Sequence, residues 1–426
     1  MSNSVLQQLH FLMVGFNAKK IQVESAQQLG LKVSLLISRA KYEPAFEAMF
    51  QQVVVVDDIY NWPLVEKALH QFTKIDVVLT RSEDHINVVG AINQHLHLAG
   101  IDYQTARNFC NKYLMKEKWL AAGVPCARGI CLDDHQDLDL FLQQHQFPLM
   151  LKKTSAAHSN FVMRVTSLAD LLDKWQYLKN NVQDEVVSKT MAGFKQTKRA
   201  CQFVLEETLS GRELTVDTFV LNDRYLHTPI CEYVMADELN VEDTYLPIRT
   251  MPIVLTQAQS DLVYQVVEKA LRALGAKNCV CHTEVFFDEQ KNYCAVIETT
   301  ARGGGNRAEM TLATTGFDYS LAVFQVAAGL EPPSIPAPQR AISVVEFFAK
   351  QKGYFKDLNL DFLSQNPAVT NIQLKYKPGQ LVEKAKFGGK PIISFFVKKN
   401  TALESQALAK ELFKKIQTTI KIDYLE

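Results

Sequence analysis

Four short apolar runs rich in β-branched residues divide the first hundred residues, at 9–16, 32–37, 52–57 and 75–80. Helical patterns at 19–29, 61–72 and 84–99 separate them. A strand followed by a helix and another strand returns parallel, so this rhythm predicts a doubly wound parallel sheet. Only Gly15 follows the first run and no G-x-G-x-x-G is present, which argues against a nicotinamide dinucleotide site.

Further along the pattern changes. The helix expected at 111–122 stops at Gly123, Val124 and Pro125. An α/β segment follows, with a strand at 147–152, a loop at 155–160 and a helix at 168–178. Long antiparallel strands are expected at 203–209, 213–221 and 224–233, then a helix at 257–274. Pro332, Pro333, Pro336 and Pro338 mark a domain edge. Strands at 341–348, 372–376 and 391–398 and a helix at 403–419 complete the chain. The expected class is thus α/β and α+β, in four units: 1–105, 106–190, 191–335 and a β-rich 336–426.

With 426 residues, several cores can be built. Forty-six basic residues balance 46 acidic ones, which leaves no net field to grip nucleic acid or an anionic membrane. The run 11–16 is too short for a signal or a span. The eight cysteines include no C-x-x-C pair, so buried free thiols and a reducing cytoplasm are expected.

Chemistry concentrates between residues 282 and 307. His282, Thr283, Glu284 and an apolar run lead through a polar turn at 288–292 into a second run ending in Glu298, Thr299, Thr300, Ala301 and Arg302, then Gly303, Gly304, Gly305 and Asn306. This reads as a β-hairpin. Placing Glu284 opposite Glu298 puts His282 opposite Thr300, with an odd-numbered loop centred on Lys291. Facing carboxylates repel unless a cation lies between them, and Mg2+ favours such oxygens. A solvated charged face is the plainer alternative. Upstream, Lys152 ends an apolar strand and Lys112 begins a helix. Each lysine either pairs with a carboxylate or reaches toward a polyphosphate.

Taken in order, these pieces resemble the ATP-grasp superfamily of carboxylate–amine ligases, above all its L-amino-acid ligase (dipeptide-forming) and carnosine-synthase-like subgroup. The matching elements are Lys112 with the Gly123-Val124-Pro125 stop, the strand from Phe147 to Lys152, the hinge with Val204, Glu206, Gly211 and Glu213, and the His282-Thr283-Glu284 to Glu298-Arg302-Gly304-Gly305 stretch. The resemblance implies an ATP-grasp fold and an ADP-forming ligase acting through an acyl-phosphate. It implies ATP and one or two Mg2+ ions, with Mn2+ as an alternative, small carboxylate and amine substrates, no nucleic-acid or membrane partner, and a chain compatible with a homodimer. A bicarbonate-dependent or nucleotide-biosynthesis ligase, or a non-catalytic ATP-binding module, stands as the alternative.

The same resemblance assigns roles. Lys112, Lys152 and Ser159 would meet ATP phosphates; Glu206, Glu207, Thr208 and Leu209 the adenine edge; Glu213 the ribose. Glu284, Glu298 and Thr300 would hold metal. Arg302 would be catalytic and bind substrate, together with His282, Gly304, Gly305 and Asn306. The loop 81–83 and the segment 306–309 would supply pocket walls. Two departures stand out: Thr300 replaces the family's asparagine, which weakens the hold on a second ion, and the loop 155–160 has no glycine to close over phosphates.

Overall fold

The computed structural model describes residues 2–16, 21–133, 138–154, 162–181, 191–194, 201–241, 247–385 and 389–425. Ser159 and the loop 155–160 lie outside them. The first four apolar runs form the parallel strands His10–Val14, Lys32–Ser38, Val53–Val56 and Val77–Leu79, in the order third, second, first, fourth. Helices Ile21–Gln28, Trp62–Leu69 and Ile86–His95 cover the sheet. Its strands are buried on both faces, which is why they read as continuous apolar runs and not as alternating ones.

A second, four-stranded antiparallel sheet is ordered Gly129–Cys131, Phe203–Glu207, Leu149–Lys153, Val162–Val165. Helix Leu168–Asn181 places Leu171, Trp175 and Leu178 against Leu149 and Leu151 in its core. Cys131 and Cys201 form a disulfide here, contrary to the free thiols expected. Pairing of the strands Gly129–Cys131 and Phe203–Glu207 brings together two cysteines 70 positions apart, which local spacing does not reveal. Cys279 and Cys281 are free, as expected.

The largest sheet has nine strands. Its main path runs Tyr293–Thr300, Cys279–Asp288, Arg212–Leu221, Cys231–Val234, Ile248–Met251, Ala341–Phe347, Ile393–Lys399 and Val369–Leu374. Strand Arg224–His227 pairs with Arg212–Leu221 off this path. The single strand expected at 224–233 is therefore two, broken around Pro229, which has no N–H for a ladder. The sheet also crosses the boundary expected at residue 336. Strand Ala341–Phe347 pairs with Ile248–Met251, so the C-terminal strands continue the same sheet. Helix Gln257–Leu274 opens with a capping box from Thr256 and Gln259 and ends at left-handed Gly275. It lies on the apolar face of the sheet, against Leu214, Val216, Cys281 and Val285.

Among the helices that went unforeseen, two bear on the site. Arg307–Thr315 and Tyr319–Ala327 follow the glycine run, and the second packs Phe324 edge-on to Phe11 in the N-terminal core. Among the described residues no helix is long and apolar enough to cross a membrane.

Candidate functional site

The polar face of the large sheet arises from period-two alternation along three neighbouring strands. On Arg212–Leu221, Leu214 and Val216 enter the core while Glu213, Thr215 and Asp217 take the other face. On Cys279–Asp288, Cys281, Val285 and Phe287 enter the core and His282 and Glu284 do not. The expected register holds at its key positions: His282 pairs with Thr300 and Glu284 with Glu298. Beyond them a bulge intervenes, since Val285 pairs with Val296 and leaves Ile297 extra. The loop expected to be odd-numbered and centred on Lys291 accordingly holds four residues, between Asp288 and Tyr293. The bulge has a purpose for the site. It lets Cys294 and Val296 point into the core while Glu298 and Thr300, of the same parity, join the polar face.

Cations meet these carboxylates from other elements. Asn111 caps helix Lys112–Ala121 by accepting from the N–H groups of Tyr113 and Leu114, and the Lys112 N–H donates to the Thr154 carbonyl. So fixed, Lys112 reaches Glu298 at 2.8 Å. Arg302 donates to Glu83 at 2.8 Å, which ties the loop after the fourth parallel strand to the site. Burial, followed by Glu284, pushes the Glu213 carboxyl up to about 8, against the pull of Lys152. Glu213 thus has Lys152 of one sheet and Glu284 of the other as electrostatic neighbours. Burial also raises Glu298, with Lys112 opposing and Glu83 and Glu284 adding to the rise. Burial raises Glu284 too, but His282 overrides it and holds this carboxyl low.

Behind this row lies a hub that sequence reasoning left unassigned. The Asp217 carboxylate is fully buried and meets His282 Nδ1 at 2.6 Å. It accepts from the Gly304 N–H at 2.8 Å and from the Tyr319 hydroxyl, and Arg307 stands at 3.9 Å. Burial disfavours the His282 cation, yet Asp217 outweighs it and the imidazole titrates above its usual value. The ring's Nε2 lies 3.5 Å from Glu284. Asp217 continues the alternation of Glu213 and Thr215, and that spacing was the available signal.

The structure also redistributes expected roles. Glu206 is 1% exposed, and its carboxylate takes Lys152 at 2.8 Å and Lys116 at 3.3 Å. Burial raises its carboxyl, but the two ammonium groups win and hold it low. Its Oε2 is therefore an ion-pair centre, while Oε1 has no hydrogen-bond partner among the described residues. The backbone of Glu206 lies within strand pairs on both sides, and the Glu207 N–H donates to the Arg128 carbonyl. Thr208 and Leu209 lie just past that strand, with the Thr208 hydroxyl on the Pro148 carbonyl. Lys116 was missed, although it stands one helical turn from Lys112. Gly304 is structural as well as local to the site. A Cβ there would meet His282 Nδ1 at 2.5 Å, and its N–H already serves Asp217. A Cβ at Gly305 would meet nothing within 4 Å, and Asn306 turns left-handed (φ 61°) to start helix Arg307–Thr315.

Metal-binding chemistry fits the row Glu213, Glu284 and Glu298. Burial first, and Glu284 after it, raise the Glu213 carboxyl to about 8, Glu284 faces Glu298 at one ladder position, and among the described residues the buried Thr300 Oγ1 has no hydrogen-bond partner. Among the described residues, the group of three such side chains whose ligand atoms lie within 4.8 Å of one another is instead Cys131, Asp133 and Cys201, and both of its sulfurs are engaged in the disulfide.

Residues 145–309 match the model of the ATP-grasp domain. Among curated relatives, the alanine–anticapsin ligase of Bacillus subtilis (strain 168) is 24% identical over 56% of this chain and 52% of its own. The L-arginine-specific L-amino acid ligase of Bacillus subtilis is 22% identical over 47% of this chain and 46% of its own. These matches span about half the length of either relative. The crystal structure of an L-amino acid ligase from Bacillus licheniformis superposes with a TM-score of 0.77 at 18% identity, over 98% of this chain and 99% of that one. The sheets, the polar row and these likenesses agree: the chain has the ATP-grasp fold and carries an ATP-grasp domain.

Proposed function

We propose that the protein is an ATP-dependent, ADP-forming ligase that joins a carboxylate to an amine. The observation that carries this reading is the pairing of Glu284 with Glu298 at one ladder position, with Lys112 and Arg302 beside them and Glu213 forced toward its protonated form. Glu284 and Glu298, with Thr300 alongside, would hold Mg2+. Bound there, the ion would offset the charge of the ATP phosphates facing an incoming anion. The residues act around that charge. Lys112 and Lys152 neutralise phosphate oxygens from two sides. The N–H groups after strand Phe203–Glu207, at Thr208 and Leu209, face the adenine edge. Arg302, a rigid fork held by Glu83, orients the carboxylate substrate. His282, whose cationic form Asp217 favours, would limit repulsion at Glu284.

In the first step the substrate carboxylate oxygen attacks the γ-phosphorus, giving an acyl-phosphate and ADP. In the second, the amine nitrogen attacks the acyl carbon; the C–N bond forms, inorganic phosphate leaves, and the amine proton passes to solvent. The names of the relatives support amino acids as substrates. A phosphate-release screen of amino-acid pairs at fixed Mg-ATP tests the reading, with nucleotide products resolved by chromatography. ADP and phosphate formed only when acid and amine are both present are expected. AMP and pyrophosphate, or silence across the panel, would sink it.

A further inference from the structure

Cys279 and Cys281 lie two apart on one strand, so both take its core face, opposite His282 and Glu284. Both thiols are free, and their sulfurs lie 3.6 Å apart. Residues so spaced on a strand have Cα atoms about 6.7 Å apart and parallel Cα–Cβ bonds, at the upper limit of disulfide geometry. The pair therefore stays a dithiol. Two bonds of about 2.3 Å, the zinc–thiolate length, would meet over these sulfurs at about 103°. A tetrahedral or pyramidal centre accepts that angle, whereas a linear one needs sulfurs about 4.6 Å apart. Among the described residues, no third Cys, His, Asp or Glu completes a ligand group with them. Burial, and then Cys279, raise the Cys281 thiol well above its ordinary value, so it keeps its proton. A Zn2+-like cation needs thiolates and further ligands. Trivalent arsenic with one carbon substituent needs only two sulfurs, and its condensation with thiols removes their protons as water. Cys279 also lines a cavity of about 100 Å³, together with Val78, Ile101, Ala301, Val323 and Ala327. An apolar cavity of about 150 Å³ takes a benzene ring, so this smaller one suits a methyl group.

We propose that Cys279 and Cys281 form a dithiol site for a monosubstituted trivalent arsenical such as methylarsonous acid, CH3As(OH)2. Each thiol hydrogen leaves with one arsenic-bound hydroxyl as water. Two As–O and two S–H bonds break, two As–S and two O–H bonds form, and arsenic stays trivalent. Cys279, half-buried, is met first, and Cys281, 0% exposed, closes the chelate. The site faces away from the carboxylate row and does not draw on the ligase reading.

The test incubates the full chain with methylarsonous acid, follows its intact mass under native conditions and counts free thiols after unfolding. One CH3As group per chain and the loss of two free thiols are expected, with the Cys131–Cys201 disulfide intact. Challenge with glutathione, a monothiol, separates chelation from attachment at a single sulfur. Cys279→Ala and Cys281→Ala should lose the arsenical to glutathione roughly a hundred- to ten-thousandfold more dilute than the parent withstands. Cys294→Ala, which removes a buried free thiol elsewhere in the sheet, should match the parent. Melting temperature controls for folding, and Cys279→Ala, at a half-buried position, decides alone if Cys281→Ala does not fold. The proposal is overturned if the parent takes up no arsenical, if Cys279→Ala retains it under glutathione as the parent does, or if Cys294→Ala loses it.

Discussion

Replacing Glu213 by Gln should make the ligand-free protein more stable, and the gain should depend on pH. Burial and the neighbouring Glu284 raise this carboxyl from 4.5 to about 8, so the folded state binds the proton more tightly than the unfolded chain. For a group raised in this way, stability falls as pH climbs from 4.5 toward 8. Each unit is worth about 1.36 kcal/mol, so the penalty at pH 7 is at most about 3 kcal/mol. Glutamine carries no proton to titrate and escapes it. With about 2.1 cal/mol/K of unfolding entropy per residue, a chain of this length shifts by roughly 1 °C per kcal/mol. Thermal melts in EDTA without nucleotide should therefore show a gap below about 1 °C at pH 5 that widens to about 3 °C at pH 7. Adding Mg2+ should narrow it, because a cation stabilises the charged form of the parent. A gap that ignores pH, or a parent more stable than the variant at pH 8, would refute the claim that burial and Glu284 make the Glu213 carboxyl hold its proton.

Other substitutions separate chemistry from architecture. Glu298→Gln keeps an acceptor for Lys112 but removes charge from the row, and turnover should drop roughly a hundred- to a thousandfold with the fold retained. Glu289→Gln is the control: Arg212 keeps Glu232 at 2.6 Å, so stability should stay within about 0.5 kcal/mol and turnover should not change. Glu206→Gln leaves Lys116 and Lys152 without their shared counter-charge and should cost about 3 kcal/mol in urea unfolding, and parental stability would disprove the ion-pair centre. His282→Asn should flatten the stability profile above pH 6.5. The raised imidazole contributes fully below its unfolded value of 6.5, and that contribution is lost as pH rises through the folded one. Melts across pH 6 to 9 decide this, and an unchanged slope counts against the Asp217 contact.

Local periodicity carried the parallel sheet, because each strand is a short apolar run between helices and needs no distant partner to be seen. The pairing of Glu284 with Glu298 was legible for the same reason: both strands belong to one hairpin. The bulge at Ile297 was not, since an extra residue leaves no compositional trace until core and cleft faces are known. Pairing across long separations was hidden as well. Nothing local tells that Ala341–Phe347 extends a sheet begun at Arg212, or that Cys131 meets Cys201. At the site, charge type and spacing singled out Lys112, Lys152 and the facing glutamates Glu284 and Glu298. Asp217, Lys116 and the use of Glu206 depended on which face each side chain takes after packing.

The helix Tyr319–Ala327 decides how far this protein can be taken apart. One end places the Tyr319 hydroxyl on Asp217, inside the large sheet's polar face, and its middle buries Phe324 against Phe11 in the N-terminal core. A cut near residue 105 would strip Phe324 of its cover and remove Glu83 from Arg302 in one stroke. The stretch 145–309 alone would lack both this helix and Lys112. Modularity in this chain is therefore a property of its sequence pattern and not of its mechanics. Exchanging the N-terminal unit for that of another such protein would demand a matched helix from the middle of the chain, so the two have to change together.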